Sequence, residues 1–172
     1  VTNSSVKQLD AVVNSYNLKR QLLMDMRTLA RERTVSIQKM LILDDPFERD
    51  DEYLRFNRLG TDFVLARERY LALELSEEER NLLESQDAII GGIGPLQAQI
   101  VNLIFQGREA EARELLLGRA IPVQDEGFRH LSIVLRFQED SAEQAVAEAH
   151  QDYRRSLGIA ASLVAAIILL ST

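Results

Sequence analysis

Apolar residues recur along this chain at steps of three, four and seven, the period of helices buried along one face. From Val1 to about Leu43, Leu9, Val13, Tyr16, Leu23, Ala30, Ile37 and Leu41 fall along one such face, and no Gly or Pro interrupts them. One long helix is predicted there, capped by Ser4 or Ser5. Asp44-Asp45-Pro46 ends it, because Pro disfavours helix at the residue before it and has no N–H to continue the ladder. Asp45 can then cap a second helix with Pro46 in its first position. Glu48, Asp50, Asp51 and Glu52 load the positive end of that helix with carboxylates. It is predicted to run to about Glu74, with Phe47, Leu54, Leu59, Phe63, Ala66, Tyr70 and Leu73 as its apolar face.

Ser76-Glu77-Glu78-Glu79 has the form of a capping box and opens a third helix containing Leu82, Leu83, Ala88, Ile89 and Ile90. Gly91-Gly92-Ile93-Gly94-Pro95 is expected to break or kink it, Leu96 to Gln106 to resume it, and Gly107 to stop it. A short helix from Arg108 to Leu117 is expected to end at Gly118. Ile121-Pro122 opens the fourth long helix, whose face is Val123, Phe128, Leu131, Leu135, Gln138, Ala142, Ala145 and Ala149. No strand-like alternation or repeat is visible. The fold class is all-α: four long helices with short connections make an antiparallel up-and-down four-helix bundle. The Asp44–Glu52 turn is expected at one end of it, together with the Arg108–Ile121 connection.

The tail differs in kind. After Arg154 and Arg155, the run from Leu157 to Leu170 carries no charge. An amphipathic core helix would keep a polar face. A membrane span needs roughly 20 such residues, so the run is expected to be the opening part of one, cut by the end of the sequence. Val1 in first place leads to the expectation of a trimmed start too, with a first span ahead of it. The domain expectation is therefore a bundle over residues 1–155 and the start of a transmembrane helix over 156–172, the last bundle helix running unbroken into the membrane. Gly158, Ser162 and Ala166 recur at every fourth position, a spacing that lets membrane helices pack closely. Arg154 and Arg155 count against an outward-facing bundle, since positive residues favour the cytoplasmic side. Basic residues beyond Thr172 would have to outweigh them. Otherwise the topology reverses, to a cytosolic bundle anchored by its tail.

Composition narrows the function classes. A net charge of −7 argues against nucleic-acid binding. With no cysteine there is no disulfide framework, thiolate metal site or cysteine nucleophile. His130 and His150 fit no ligand spacing, and the Glu-x-x-His pairs of a carboxylate di-metal bundle are missing. The acidic cluster at 44–52 lacks the alternation and Gly of a calcium loop. The Gly91–Pro95 segment lacks the strand and Lys-Ser/Thr of a phosphate loop. No acid, base and oxyanion donor form a recognisable set. No catalytic residue, metal ligand or cofactor is assigned, and the fragment is not expected to be an enzyme.

The order of these features resembles the four-helix-bundle periplasmic sensory domain of bacterial chemoreceptors, histidine kinases and diguanylate cyclases. One segment that carries the resemblance runs from Arg31 through Asp44-Asp45-Pro46-Phe47-Glu48-Arg49-Asp50-Asp51 to Glu52. It is similar to the end of the first helix and the distal turn in cyclic-di-GMP signalling members. The others are Ser76 to Leu83 and Val101 to Leu117. The likeness implies an inner-membrane receptor whose input domain faces the periplasm, usually as a homodimer. Its partner would be a small-molecule ligand, an anion among the candidates, or a periplasmic binding protein. Binding would move the last helix relative to the first and pass the shift through the membrane to a cytoplasmic effector, with cyclic-di-GMP turnover favoured as the output. Arg20, Arg27 and Arg31 share a flank of the first helix, with Arg33 nearby. In a bundle dimer that flank could clamp an anionic ligand, because guanidinium forks match carboxylates. The plainer alternative is a solvated face paired with acids such as Asp62 or Glu68. The rival to the receptor as a whole is a tail-anchored helical-bundle protein-interaction module.

Overall fold

The computed structural model describes the backbone of residues 2–170, and their side chains except those of 2–6, 8–9, 86, 88, 90, 152–153 and 155–170. The described residues are helical throughout apart from short turns. The helices are α1 (Thr2–Met40), α2 (Pro46–Leu71), α3 (Glu77–Phe105), α4 (Glu109–Leu115) and α5 (Ile121–Leu170), with a π-helical turn, Leu116–Ala120, between α4 and α5.

The caps form where the residues call for them. Asp45 Oδ1 accepts from the backbone N–H groups of Phe47 at 2.7 Å and Glu48 at 3.4 Å, with Pro46 as the first residue of α2. Ser76 Oγ accepts from Glu79 N at 3.2 Å, while Glu79 Oε2 accepts from Ser76 N at 2.7 Å, completing the capping box. Gly107 ends α3 at φ 72°, a left-handed conformation that a Cβ would penalise. Around it Arg108 N donates to Leu103 O and Gly107 N to Ile104 O, the paired closure of a helix C-terminus.

Two expected stops are overruled. The Gly91–Pro95 segment does not break α3, which runs from Glu77 to Phe105 with Pro95 inside it. Pro95 forfeits one intrahelical hydrogen bond, but the helix keeps its inner face, with Gln97 and Ile100 buried just beyond the proline. Gly118 does not stop the short helix either. It lies within the π-helical turn, closed by Ile121 N donating to Leu116 O. Pro122 cannot donate an N–H, and in a plain α-helix its ring would press on the carbonyl of residue 118. The wider turn relieves that conflict and lets the chain enter α5 without a loop. Gly127 lies within α5 and does not interrupt it.

The chain divides into two compact units. The first draws on residues 1–18 and 137–172. Its described side chains include half-buried Val12, Tyr16, Ala142, Ala145 and Ala149 and fully buried Gln138, while Val13 is exposed rather than on the inner face as predicted. No helix among the described residues is long and apolar enough to cross a membrane. The expected span at 156–172 lies outside the residues whose side chains are described.

The second unit, Lys19–Arg136, holds the antiparallel four-helix arrangement. At one end Leu22, Leu23 and Met26 of α1 pack with Ala66 and Tyr70 near the end of α2, Leu83 near the start of α3, and Leu131 and Val134 of α5. At the other, Ile37 and Met40 of α1 pack with Phe56 near the start of α2, Ile100 and Ile104 near the end of α3, and Ala112, Leu116 and Ala120. The chain therefore travels up, down, up and down. The α1–α2 turn meets the α4 connection at the second end, where Arg49 Nη2 donates to Leu43 O at 2.6 Å and Nη1 lies 3.9 Å from Glu109. On α2 the inner face is Phe56, Leu59, Ala66 and Tyr70. Phe47 and Leu54, predicted for that face, are 82% and 61% exposed. Seven residues apart, they share the outer side of the helix instead.

Candidate functional site

Between the two apolar clusters the second unit carries a half-open pocket. A cavity of about 500 Å³ is lined by Ala30 and Arg33 of α1, Gly60, Phe63 and Val64 of α2, Gly91, Ile93, Gly94 and Gln97 of α3, and Gln124, Gly127, Phe128 and Leu131 of α5. Four of these residues are glycines; a Cβ at Gly60 would meet Arg33 and one at Gly127 would meet Ile93 and Ile89, while Gly91 and Gly94 border open space. A glycine inside a helix costs roughly 0.5–1 kcal/mol relative to alanine, so the pocket carries a local cost in helix stability. The Gly91–Pro95 segment thus forms one wall of a pocket within this unit.

Two arginines line the pocket: Arg67 of α2, bound to Asp87, and Arg33 of α1, which makes no ion pair among the described residues. The Arg33 guanidinium carbon lies 4.2 Å from the centroid of the Phe56 ring. A Cβ built on Gly60 would come within 3.0 Å of the same carbon, so the absent side chain at 60 makes room for the arginine. Arg33 Nε is buried with no hydrogen-bond partner among the described residues. Burial pushes the guanidinium below its ordinary pKa, because the charged form loses hydration that nothing in the protein replaces. Arg33 also lines a second cavity of about 430 Å³, with Asp50, Tyr53, Phe56 and Phe105 among its other walls.

Two glutamines face the first cavity in contrasting states. Gln124 is fully engaged by α1: Thr34 Oγ1 donates to its Oε1, and its Nε2 donates to Ala30 O at 2.9 Å. Gln97 is 3% exposed, yet its Oε1 has no donor among the described residues. The acids at the cavity are Asp87, bound to Arg67, and the exposed Glu68.

The arginines singled out in the sequence lie elsewhere. Arg20 and Arg31 are exposed, and neither lines a described cavity. Arg27 is half-buried with its guanidinium carbon 5.7 Å from the Phe128 ring centroid. None of the three makes an ion pair among the described residues. Arg20 and Arg31 share their outward face with Met24 and Val35, which are 41% and 37% exposed, and Ile42 in the turn after α1 is 74% exposed. The α1–α2 ion pairs that do form are Arg55 to Glu32, at 2.9 Å, and Lys39 to Glu52, at 3.7 Å.

In the acidic turn, Asp45 is the α2 cap, and Glu52 reaches back to α1. It accepts from Ser36 Oγ at 2.6 Å and Arg55 Nη1 at 3.1 Å, with Lys39 at 3.7 Å. Partial burial pushes the Glu52 carboxyl up, but the hydrogen bonds from Ser36 and Arg55 and the charges of Lys39 and Arg55 outweigh it, leaving the group below its ordinary pKa. Among the described residues no three His, Asp or Glu side chains gather as metal ligands would. His130 is half-buried and His150 exposed.

A family model described as a four helix bundle sensory module for signal transduction matches residues 2–153. The chain belongs to this sensory-module family. The match reaches into both compact units and stops short of the apolar tail. No curated protein matches the chain. The cavity therefore lies inside a sensory module, lined by all four long helices.

Proposed function

We propose that this sensory module is the extracytoplasmic input domain of a bacterial inner-membrane receptor. It faces the periplasm, acts as a homodimer and works by binding, without chemistry of its own. The observation that carries this reading is α5. It is one helix from Ile121 to Leu170, so the residues that wall the cavity and the apolar run beyond Leu157 belong to the same element. A ligand that binds one placement of α5 against α1 better than another shifts the population between them. Coupling of this kind is typically worth about 1–3 kcal/mol. Gly127 of α5 faces Ile93 and Ile89 of α3, where an added Cβ would meet them in ordinary contact at 3.6 and 3.8 Å.

The dimer is assigned to the outward face of α1, where Met24 and Val35 stand exposed beside Arg20 and Arg31, with exposed Ile42 in the turn that follows. Arg20, Arg27 and Arg31 remain proposed contacts for an anionic ligand or a periplasmic binding protein on that flank. The likeness of residues 31–52 to cyclic-di-GMP signalling members supports cyclic-di-GMP turnover as the downstream output, and the apolar run from Leu157 supports a membrane helix.

Because the chain has no cysteine, a single introduced thiol reports which side of the membrane it occupies. A Ser141→Cys variant in intact cells should react with a membrane-impermeant maleimide. Labelling only after the membrane is permeabilised would instead favour a cytosolic, tail-anchored interaction module.

A further inference from the structure

We propose that the cavity between α1, α2, α3 and α5 binds a small organic carboxylate with an apolar body, held by its carboxylate on Arg33 and by a hydrogen-bond donor on Gln97 Oε1. The proposal deepens the sensory reading and rests on it for its biological meaning, though the site can be tested without it.

A buried polar atom without a partner is rare in a folded protein and calls for an explanation. This cavity has two, Arg33 Nε and Gln97 Oε1, on helices that face each other across it. They have opposite hydrogen-bonding needs: the guanidinium can only donate, and the amide oxygen can only accept. A ligand that satisfies both must carry an acceptor, best an anionic one, and a donor. A carboxylate answers the guanidinium fork, and a hydroxyl, amine or amide N–H answers Gln97.

The remaining walls describe the body of the ligand. Phe63, Val64, Ile93, Phe128 and Leu131 are apolar, and the glycines add backbone surface without bulk. The volume of about 500 Å³ falls in the roughly 300–1,000 Å³ range of small-molecule sites. The Phe56 ring beneath the guanidinium and the room left at Gly60 seat Arg33 beside the cavity before any ligand arrives. Preorganised groups lose less freedom on binding. Asp87 does not repel the anion as a free acid would, because it is bound to Arg67. Glu68 lies at the exposed side and favours ligands whose donor is cationic or neutral.

The test uses the full chain with benzoate, 4-hydroxybenzoate and hexanoate as probes, and with benzamide and hexanamide as uncharged counterparts. Thermal melting and isothermal titration calorimetry read the binding. At least one carboxylate should raise the Tm at millimolar concentration, and its amide should not. Arg33→Met should weaken that binding by about 10- to 100-fold, the factor a charge-assisted hydrogen bond commands. It should also raise the Tm of the ligand-free protein, which a purely structural arginine would not do. Gln97→Leu should weaken 4-hydroxybenzoate more than benzoate. If none of the three carboxylates shifts the melting, or if Arg33→Met binds them as well as the parent chain, the assignment is overturned. Spin labels at Thr28→Cys and Arg129→Cys separate this from the receptor reading. Arg33-dependent binding with no change in the α1–α5 distance keeps the site and removes the signalling role.

Discussion

A buried ion pair and a half-buried lone cation in the same helical unit are treated in opposite ways. Near the start of α3, Lys19 Nζ lies 3.0 Å from both carboxylate oxygens of Glu79. The Tyr70 hydroxyl donates to Glu79 Oε1 at 3.3 Å, and the Ser76 N–H donates to Oε2. Lys19 and Glu79 are 8% and 4% exposed, and each oxygen of the acid is bonded more than once. Further along α1, Arg33 has a ring beneath it, a glycine beside it and no acid paired with it among the described residues. A saturated pair holds helices in one arrangement, since breaking it strands a charge. An unsaturated cation stores binding capacity at the expense of stability, as functional sites commonly do. The difference separates what assembles this module from what it is poised to bind.

The largest effect should follow from breaking the saturated pair. Glu79→Leu leaves Lys19 buried alone and removes half of the capping box. Urea denaturation should show a loss of about 3–5 kcal/mol, the usual cost of stranding one partner of a buried ion pair. A loss under about 1 kcal/mol, the worth of a solvent-exposed pair, would mean that the contact is looser than its geometry indicates. The next effect concerns Glu52, whose folded-state pKa is depressed. A depressed carboxyl stabilises the fold above its unfolded pKa of about 4.3, and that contribution fades as the pH falls through the folded value below it. Glu52→Gln should therefore flatten the acid limb of the stability profile below about pH 4.3, and an unchanged limb would assign it to other carboxylates.

Gly60→Ala is a finer probe. Its Cβ would press on the tip of Arg33, a flexible group that can give way. Alanine's helix preference should offset the strain to within about 1 kcal/mol, so thermal melting should change little while carboxylate binding weakens. Equal binding by this variant would show that the guanidinium needs no fixed placement. A small effect on stability is expected for Arg27→Ala with Arg31→Ala: within about 0.5 kcal/mol at exposed Arg31 and about 0.5–1 kcal/mol at half-buried Arg27, which gives up its contact with the Phe128 ring, with the circular dichroism spectrum intact. If the α1 flank is also a ligand contact, this double variant should lose response to an anionic ligand. A response that survives it but disappears in Arg33→Met would leave the inner cavity as the site.

Much of this contrast is legible in the amino-acid sequence, and the missing part has a definite physical origin. Caps and stops depend on neighbours within one turn, so Asp45-Pro46, Ser76 to Glu79 and Gly107 can be read directly. The Gly91–Pro95 segment and Gly118 mislead because propensity is a local bias that tertiary packing overrides. For α2, Phe47 and Leu54 match the apolar period but lie on the opposite side from Phe56 and Tyr70. The site is half visible. Arg33 stands three residues after Ala30 and four before Ile37, so it belongs to the apolar face of α1, whereas Arg20 and Arg31 lie off it. A charge on that face is the available signal. What makes it a site, however, is Gly60 and Phe56 on another helix and Gln97 on a third, which no spacing within α1 can reveal.

The most direct test is the behaviour of Arg33→Met in a single pair of melts, without ligand and with a carboxylate that stabilises the parent chain. If Arg33 is held unsatisfied for a ligand, the variant melts higher than the parent when empty and gains nothing from the carboxylate. A variant that melts lower when empty, yet is stabilised by the carboxylate as much as the parent is, would make Arg33 a packing residue and contradict that role.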